Sequence, residues 1–206
     1  FIGLENINPD SLKDARKGQN RITEYRAMLQ AWHRVGTLTY AGYIIGFPGD
    51  TPETIERDIH IIQKELPVDL LEFFLLTPLP GSEDHKKLHL AGVQMERDLN
   101  EYELVHVTTR HATMTDDELR AIYYKAWDLY YSPEHVERVI RRTKLWNYDS
   151  YNMMAKLFSF YEAIKIENVH PLESGLFRRK CRLDRRPGMP VESRLSFYPG
   201  CGWEVL

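Results

Sequence analysis

The feature that most constrains this chain is the alternation of three short apolar runs with segments that open like helices. Phe1-Ile2-Gly3-Leu4 is the first run, and Asn8-Pro9-Asp10 then supplies a cap residue, a first-turn proline and an acid. The helical pattern so opened covers residues 8–34, and Gly36 ends it. Residues 38–47 form a second apolar run rich in Ile and Tyr. Thr51-Pro52-Glu53 then opens a second helix, with Ile55, Ile59 and Ile62 on one face. Pro67 and Asp69 break it, and Leu70-Leu71-Glu72-Phe73-Phe74-Leu75-Leu76 is the third run, stopping at Thr77-Pro78. Strands and helices in this order require parallel strands joined by right-handed crossovers, as in doubly wound sheets and (β/α) barrels. In both, ligands gather at the C-terminal ends of the strands.

Beyond Pro80-Gly81-Ser82 the pattern changes. Residues 100–113 are irregular and contain His106 and His111, and Thr115-Asp116-Asp117-Glu118 is a capping box. The helix it opens carries Leu119, Ile122, Tyr123, Ala126, Trp127 and Tyr130 on one face, a stripe read as core. Ser132-Pro133-Glu134 starts another helix, and residues 151–166 read as a third. From His170 onward there is little periodicity, and Arg178, Arg179, Lys180, Arg185 and Arg186 make this stretch basic. The expected organisation is therefore 1–95 for the βα units, 96–168 for a helical cap and 169–206 for an irregular basic tail.

Composition narrows the class. The 206 residues suffice to bury a core, and a hydrophobic fraction of 43% with a charged fraction of 28% is that of an ordinary globular protein. A formal charge of -3 creates no field that gathers polyanions, so nucleic acid is not an expected partner. Only Cys181 and Cys201 are present, which excludes a disulfide framework and suits a reducing cytoplasm. No apolar run approaches the roughly 20 residues of a membrane span. His85 and His89 share a helix face but lack a third ligand, and His106 and His111 lack metal spacing, so no metal site is expected from this chain.

The stretch richest in chemistry is Gly42-Tyr43-Ile44-Ile45-Gly46-Phe47-Pro48-Gly49-Asp50-Thr51, a strand ending in small residues and turning tightly into a capped helix. Gly46 and Gly49 remove bulk, and free N–H groups at the helix start favour an anion or polar ligand group. Glu5 and Asn6 at one neighbouring strand end, and Thr77-Pro78-Leu79-Pro80-Gly81 at the other, complete a pocket rim.

These residues resemble the radical S-adenosylmethionine (radical SAM) enzymes, at the last three βα units of their partial (β/α) barrel. Phe1 to Asn6 with Asn8-Pro9 and Lys17-Gly18-Gln19-Asn20 are similar to the family's fourth strand and helix. The stretch from Gly42 to Thr51 is similar to the fifth strand with its glycine-isoleucine-glycine motif, and that from Phe73 to Ser82 to the sixth with its proline-glycine turn. The resemblance implies an α/β fold built as that partial barrel, followed by a small helical region and an irregular tail. It also implies cofactor-binding roles: Glu5 toward the ribose, Lys17 toward the methionine carboxylate, Ile44 against adenine with Gly46 and Phe47 lining the same slot, and Asn6, Tyr43, Leu76 and Thr77 among the cofactor-binding residues. Gly42 stands where family members often carry a ribose-holding acid. The stretch from Leu76 to Ser82, with Asn100, His106 and Trp127 to Ser132, further resembles the subgroup with an N-terminal cobalamin-binding domain.

The Cys-x3-Cys-x2-Cys motif that holds the family's [4Fe-4S] cluster is absent. The expectation is that Phe1 follows missing upstream sequence that carries those ligands and any cobalamin site. The implied parent enzyme reduces S-adenosylmethionine to a deoxyadenosyl radical, needs an electron donor for its cluster, and acts on a small-molecule substrate, with cobalamin-dependent methyl transfer as one outcome. The chain alone is expected to be inactive. A conventional (β/α) barrel hydrolase or lyase using Glu5 and Asp50, or a non-catalytic interaction module, are the competing readings.

Overall fold

The computed structural model describes residues 1–8, 22–167, 170–172, 182–183, 188 and 190–203. The three apolar runs are strands β1 (Ile2–Glu5), β2 (Tyr40–Ile45) and β3 (Leu70–Leu75), paired in parallel in the order β1-β2-β3. Helix α1 (Ile22–Arg34) precedes β2, and α2 (Pro52–Glu65) crosses from β2 to β3. Asn8 is described, while Pro9, Asp10 and the stretch containing Lys17 lie outside the described residues.

Helix α2 starts where its sequence dictates. Thr51 Oγ1 accepts from Thr54 N, and Thr54 Oγ1 returns a bond from Thr51 N, with Pro52 in the first turn. Its Ile55, Ile59 and Ile62 are buried against Tyr43, Ile45, Leu71, Phe73 and Leu75 of the sheet. Beyond β3 follow α3 (Glu83–Leu90), a 3-10 turn at Leu99–Glu101, α4 (Asp116–Tyr130), α5 (Pro133–Leu145), and α6 (Ser150–Glu162), which continues as a π turn at Ala163–Glu167. Helix α4 opens on the Thr115/Glu118 box and buries the predicted stripe. Trp127 and Tyr130 set ring edges against Phe73 at 5.2 and 6.3 Å, so the stripe is core rather than a substrate channel.

The partial (β/α) barrel expected from the sequence is not formed: the sheet is small, open and three-stranded, with seven α-helices among the described residues. The outer edge of β3 explains why it stops there. Groups at both ends of that edge are already satisfied: Tyr131 Oη accepts from Leu71 N at 3.3 Å and donates to Leu71 O at 2.7 Å, and Leu75 N donates to Leu104 O at 2.7 Å. A side chain and a loop thus occupy the edge on which a fourth strand would pair. The tail is not wholly irregular either, since Arg194–Trp203 forms α7 despite Pro199. Among the described residues, no helix is long and apolar enough to cross a membrane.

One core group makes the fold sensitive to acid. His135 is 2% exposed, packs 4.6 Å from the Tyr130 ring, and has no hydrogen-bond partner on either ring nitrogen. Desolvation, aided by the charges of Arg142 and Arg138, pushes its pKa down to about 3. The unfolded chain therefore takes up this proton first as pH falls through about 6.5, and stability is lost progressively from there toward the folded value. His135→Phe is expected to remove roughly 2 kcal/mol of that loss at pH 5, read as a shallower fall of urea-unfolding free energy between pH 7 and 5.

Candidate active site

The strands' C-terminal ends form the candidate site, each shaped differently. At the end of β1, Glu5 adopts φ 62°, an uncommon backbone for a residue with a side chain, and the β1–β2 register shifts between Gly3 and Glu5. The carboxylate folds back over its own strand: Glu5 Oε1 lies 2.9 Å from where a side-chain carbon on Gly3 would sit. Asn6 is fully buried. Its Oδ1 accepts from Asn8 N at 2.7 Å, while Nδ2 has no hydrogen-bond partner in the protein. Such a donor marks a place where a ligand group or water is needed.

At the end of β2, Gly46 takes φ 105°, which favours glycine there. Asp50 Oδ2 accepts from Gly46 N and from Phe47 N at 2.9 Å each, and Asp50 N donates back to Phe47 O at 2.8 Å. Burial raises the Asp50 pKa, and those two amides work against the rise. His111 adds a second lock: Nε2 donates to Phe47 O at 2.8 Å, while Nδ1 accepts from the amides of Thr113 and Met114. The Gly46 and Phe47 amides are therefore occupied within the turn. The carboxylate of Asp50, read in one competing scheme as an acid or base, holds the turn instead.

At the end of β3, Leu76 N donates to Ile45 O and the Leu76 side chain is partly exposed. Thr77 Oγ1 donates to Leu75 O at 3.0 Å. Glu5, Asn6, Gly46, Phe47, Leu76 and Thr77 thus share one edge of the sheet. Tyr43 does not join them: it points to the α2 side, fully buried, with its hydroxyl donating to Asp58 Oδ2 at 3.3 Å. Ile44 faces the opposite side of the sheet, beside Phe74 of β3. Lys17 lies outside the described residues.

Sequence reasoning passed over Glu72. It is 1% exposed in the middle of β3, and desolvation raises its pKa to about 7, with the Tyr40 hydroxyl opposing the rise. The signal was present, because a single carboxylate inside an otherwise apolar strand calls for an explanation. Among the described residues, no group of three His, Cys, Asp or Glu can hold a metal ion.

No known family profile matches the chain. It is similar to the bacteriochlorophyllide d C-12(1)-methyltransferase of Chlorobaculum tepidum, with 36% identity over 84 residues, 39% of this chain and 18% of that protein. It is also similar to an uncharacterized methyltransferase of Pyrococcus horikoshii, with 24% identity over 131 residues, 64% of this chain and 28% of that protein. The matched stretches span less than a third of either relative.

Removing the Asp50 acceptor leaves two buried amides without a partner. Asp50→Ala is expected to cost about 1 to 3 kcal/mol in urea unfolding, and Asp50→Asn, which keeps an acceptor oxygen, less than half of that. In the alanine variant the Gly46 and Phe47 amides should also lose protection in hydrogen exchange.

Proposed function

We propose that this chain is part of a longer methyltransferase, and that the C-terminal edge of its sheet takes S-adenosylmethionine. The observation that carries this is Asn6: a buried amide donor without a protein partner, beside the left-handed Glu5, at the end of a parallel strand. The methyltransferase names of both relatives support the same chemistry.

The residues present fit the cofactor's polar and apolar parts separately. Asn6 Nδ2 and the Glu5 carboxylate suit the ribose hydroxyls, one donating and one accepting. Gly46, bordered by Leu119 and Leu76, gives an apolar lip at the strand end for the adenine, with Phe47 and Ile44 as further apolar neighbours. Lys17 is assigned to the methionine carboxylate by resemblance alone. Bound there, S-adenosylmethionine would supply the group to be transferred.

The finer reading places the parent among the radical SAM enzymes, on the resemblance of the three strand-end stretches. An iron-sulfur cluster does not fit this chain, whose two cysteines cannot provide three thiolates, and the resemblance assigns cobalamin to a separate N-terminal domain. Both groups, if used, are held by residues outside these 206. A small-molecule substrate, an electron donor and a cytoplasmic setting belong to this same proposal.

Titration of the isotope-labelled chain with S-adenosylmethionine tests the site. The expected result is a saturable shift of the Asn6 side-chain amide signals and of Gly46, with affinity weakened about tenfold in Asn6→Ala. Saturation without any change at Asn6 or Gly46, or no binding by a folded chain, would overturn it. The radical reading is tested on the longer protein isolated anaerobically, where a paramagnetic signal from a reduced cluster is expected. Methyl transfer by iron-free protein would sink that part alone.

A further inference from the structure

The register β1-β2-β3 places Gly3 beside Gly42 and Gly42 beside Glu72, with Ile44 beside Phe74 two residues on. These residues share the face of the sheet that α2 does not cover. Here Glu72 Oε2 has no hydrogen-bond partner. His170 Nε2 stands 3.7 Å from it, just beyond hydrogen-bond reach. Both side chains are more than nine-tenths buried.

The His170 ring is held by aromatic contacts rather than by the carboxyl group. It stacks on Phe74 at 4.9 Å with an interplanar angle of 20°, and it meets Trp127 edge-on at 5.8 Å. Burial pushes Glu72 up to about 7 and His170 down to about 4, so near neutrality the imidazole is uncharged and no full ion pair holds the two together. The Tyr40 hydroxyl is the other polar group beside Glu72, and it works against the rise of the Glu72 pKa. A close-packed interior seldom leaves a buried carboxylate oxygen short of a donor that stands so near it.

We infer that Glu72, Phe74 and Trp127 form a subsite for a planar heteroaromatic ring bearing an N–H donor, and that His170 of the same chain occupies it here. The imidazole shows which shape the subsite accepts: flat, stacked on Phe74 and edged by Trp127. The gap from Nε2 to Oε2 shows what the occupant leaves undone, since a ring whose N–H reached the carboxylate would satisfy both. The subsite lies on the sheet's face rather than its C-terminal edge, and it goes beyond the S-adenosylmethionine reading without depending on it.

The test uses pyrrole and furan, which share a flat five-membered ring and differ in the N–H donor. The full chain carrying His170→Ala is titrated with each, following the Trp127 indole signal by NMR. Saturable binding of pyrrole about tenfold tighter than furan is expected, with the preference lost when Glu72→Leu is added. Wild type should bind pyrrole more weakly than His170→Ala, because its own imidazole competes. Equal binding of the two rings, a preference that survives Glu72→Leu, or no saturable shift in a folded His170→Ala chain would overturn the inference. Should that variant fail to fold, wild type decides: a pyrrole-specific Trp127 shift supports the subsite, and its absence overturns it.

Discussion

Four elements of this protein meet on one buried carboxylate. Asp69, wholly inaccessible at the start of β3, accepts from Thr39 N and Thr39 Oγ1 at 2.8 Å each and from His33 Nε2 at 2.7 Å, while its other oxygen accepts from Arg142 at 2.9 Å. Burial alone would raise its pKa. The His33 hydrogen bond, the Arg142 charge and the Thr39 amide outweigh that and hold it below the ordinary carboxylate range. The end of α1, the lead into β2, the start of β3 and the body of α5 are thereby fixed to one another. A buried charge so satisfied contributes geometry more than net energy, yet removing one partner of such a cluster typically costs about 3 to 5 kcal/mol. The pocket lined by His33, Thr37, Thr143 and Trp146 belongs to this network, at the end of the sheet away from the candidate site.

With the strand starts anchored, the C-terminal ends are free to carry irregular backbone. Glu5 and Gly46 adopt left-handed conformations there, and Asp50 and His111 stabilise the β2 turn from opposite sides. The division is physically sensible, because strain is tolerated only where surrounding contacts over-determine the backbone. The two turns differ in consequence. That after β2 satisfies its own amides and offers shape alone, whereas that after β1 leaves the Asn6 donor open to a ligand.

Much of the fold was legible from local chemistry. The Thr51-Pro52 and Thr115-Glu118 helix starts, the isoleucine face of α2 and the aromatic face of α4 each rest on spacing within one turn or two, and each is found in place. That the sheet stays open instead of forming part of a barrel was not legible, because closure depends on what meets the outer edge of β3. Tyr131 and Leu104 lie far from β3 in sequence, and nothing in their own neighbourhoods announces that they will cap it. The candidate site divides in the same way: the positions of Glu5, Asn6, Gly46 and Thr77 at strand ends follow from the order of elements. The side of the sheet that Tyr43 faces, and the capture of the Gly46 and Phe47 amides by Asp50, do not.

The sequence by itself determined the parallel βα order, the helix starts and the strand ends where ligand chemistry gathers, because periodicity and capping act over a few residues. Tertiary structure alone decided that the sheet stays open, that Asp50 holds a turn rather than a proton in transit, and that Glu72 meets His170 on the uncovered face. Those outcomes depend on contacts between residues far apart in the chain, and on which buried polar group finds a partner once packing has excluded water.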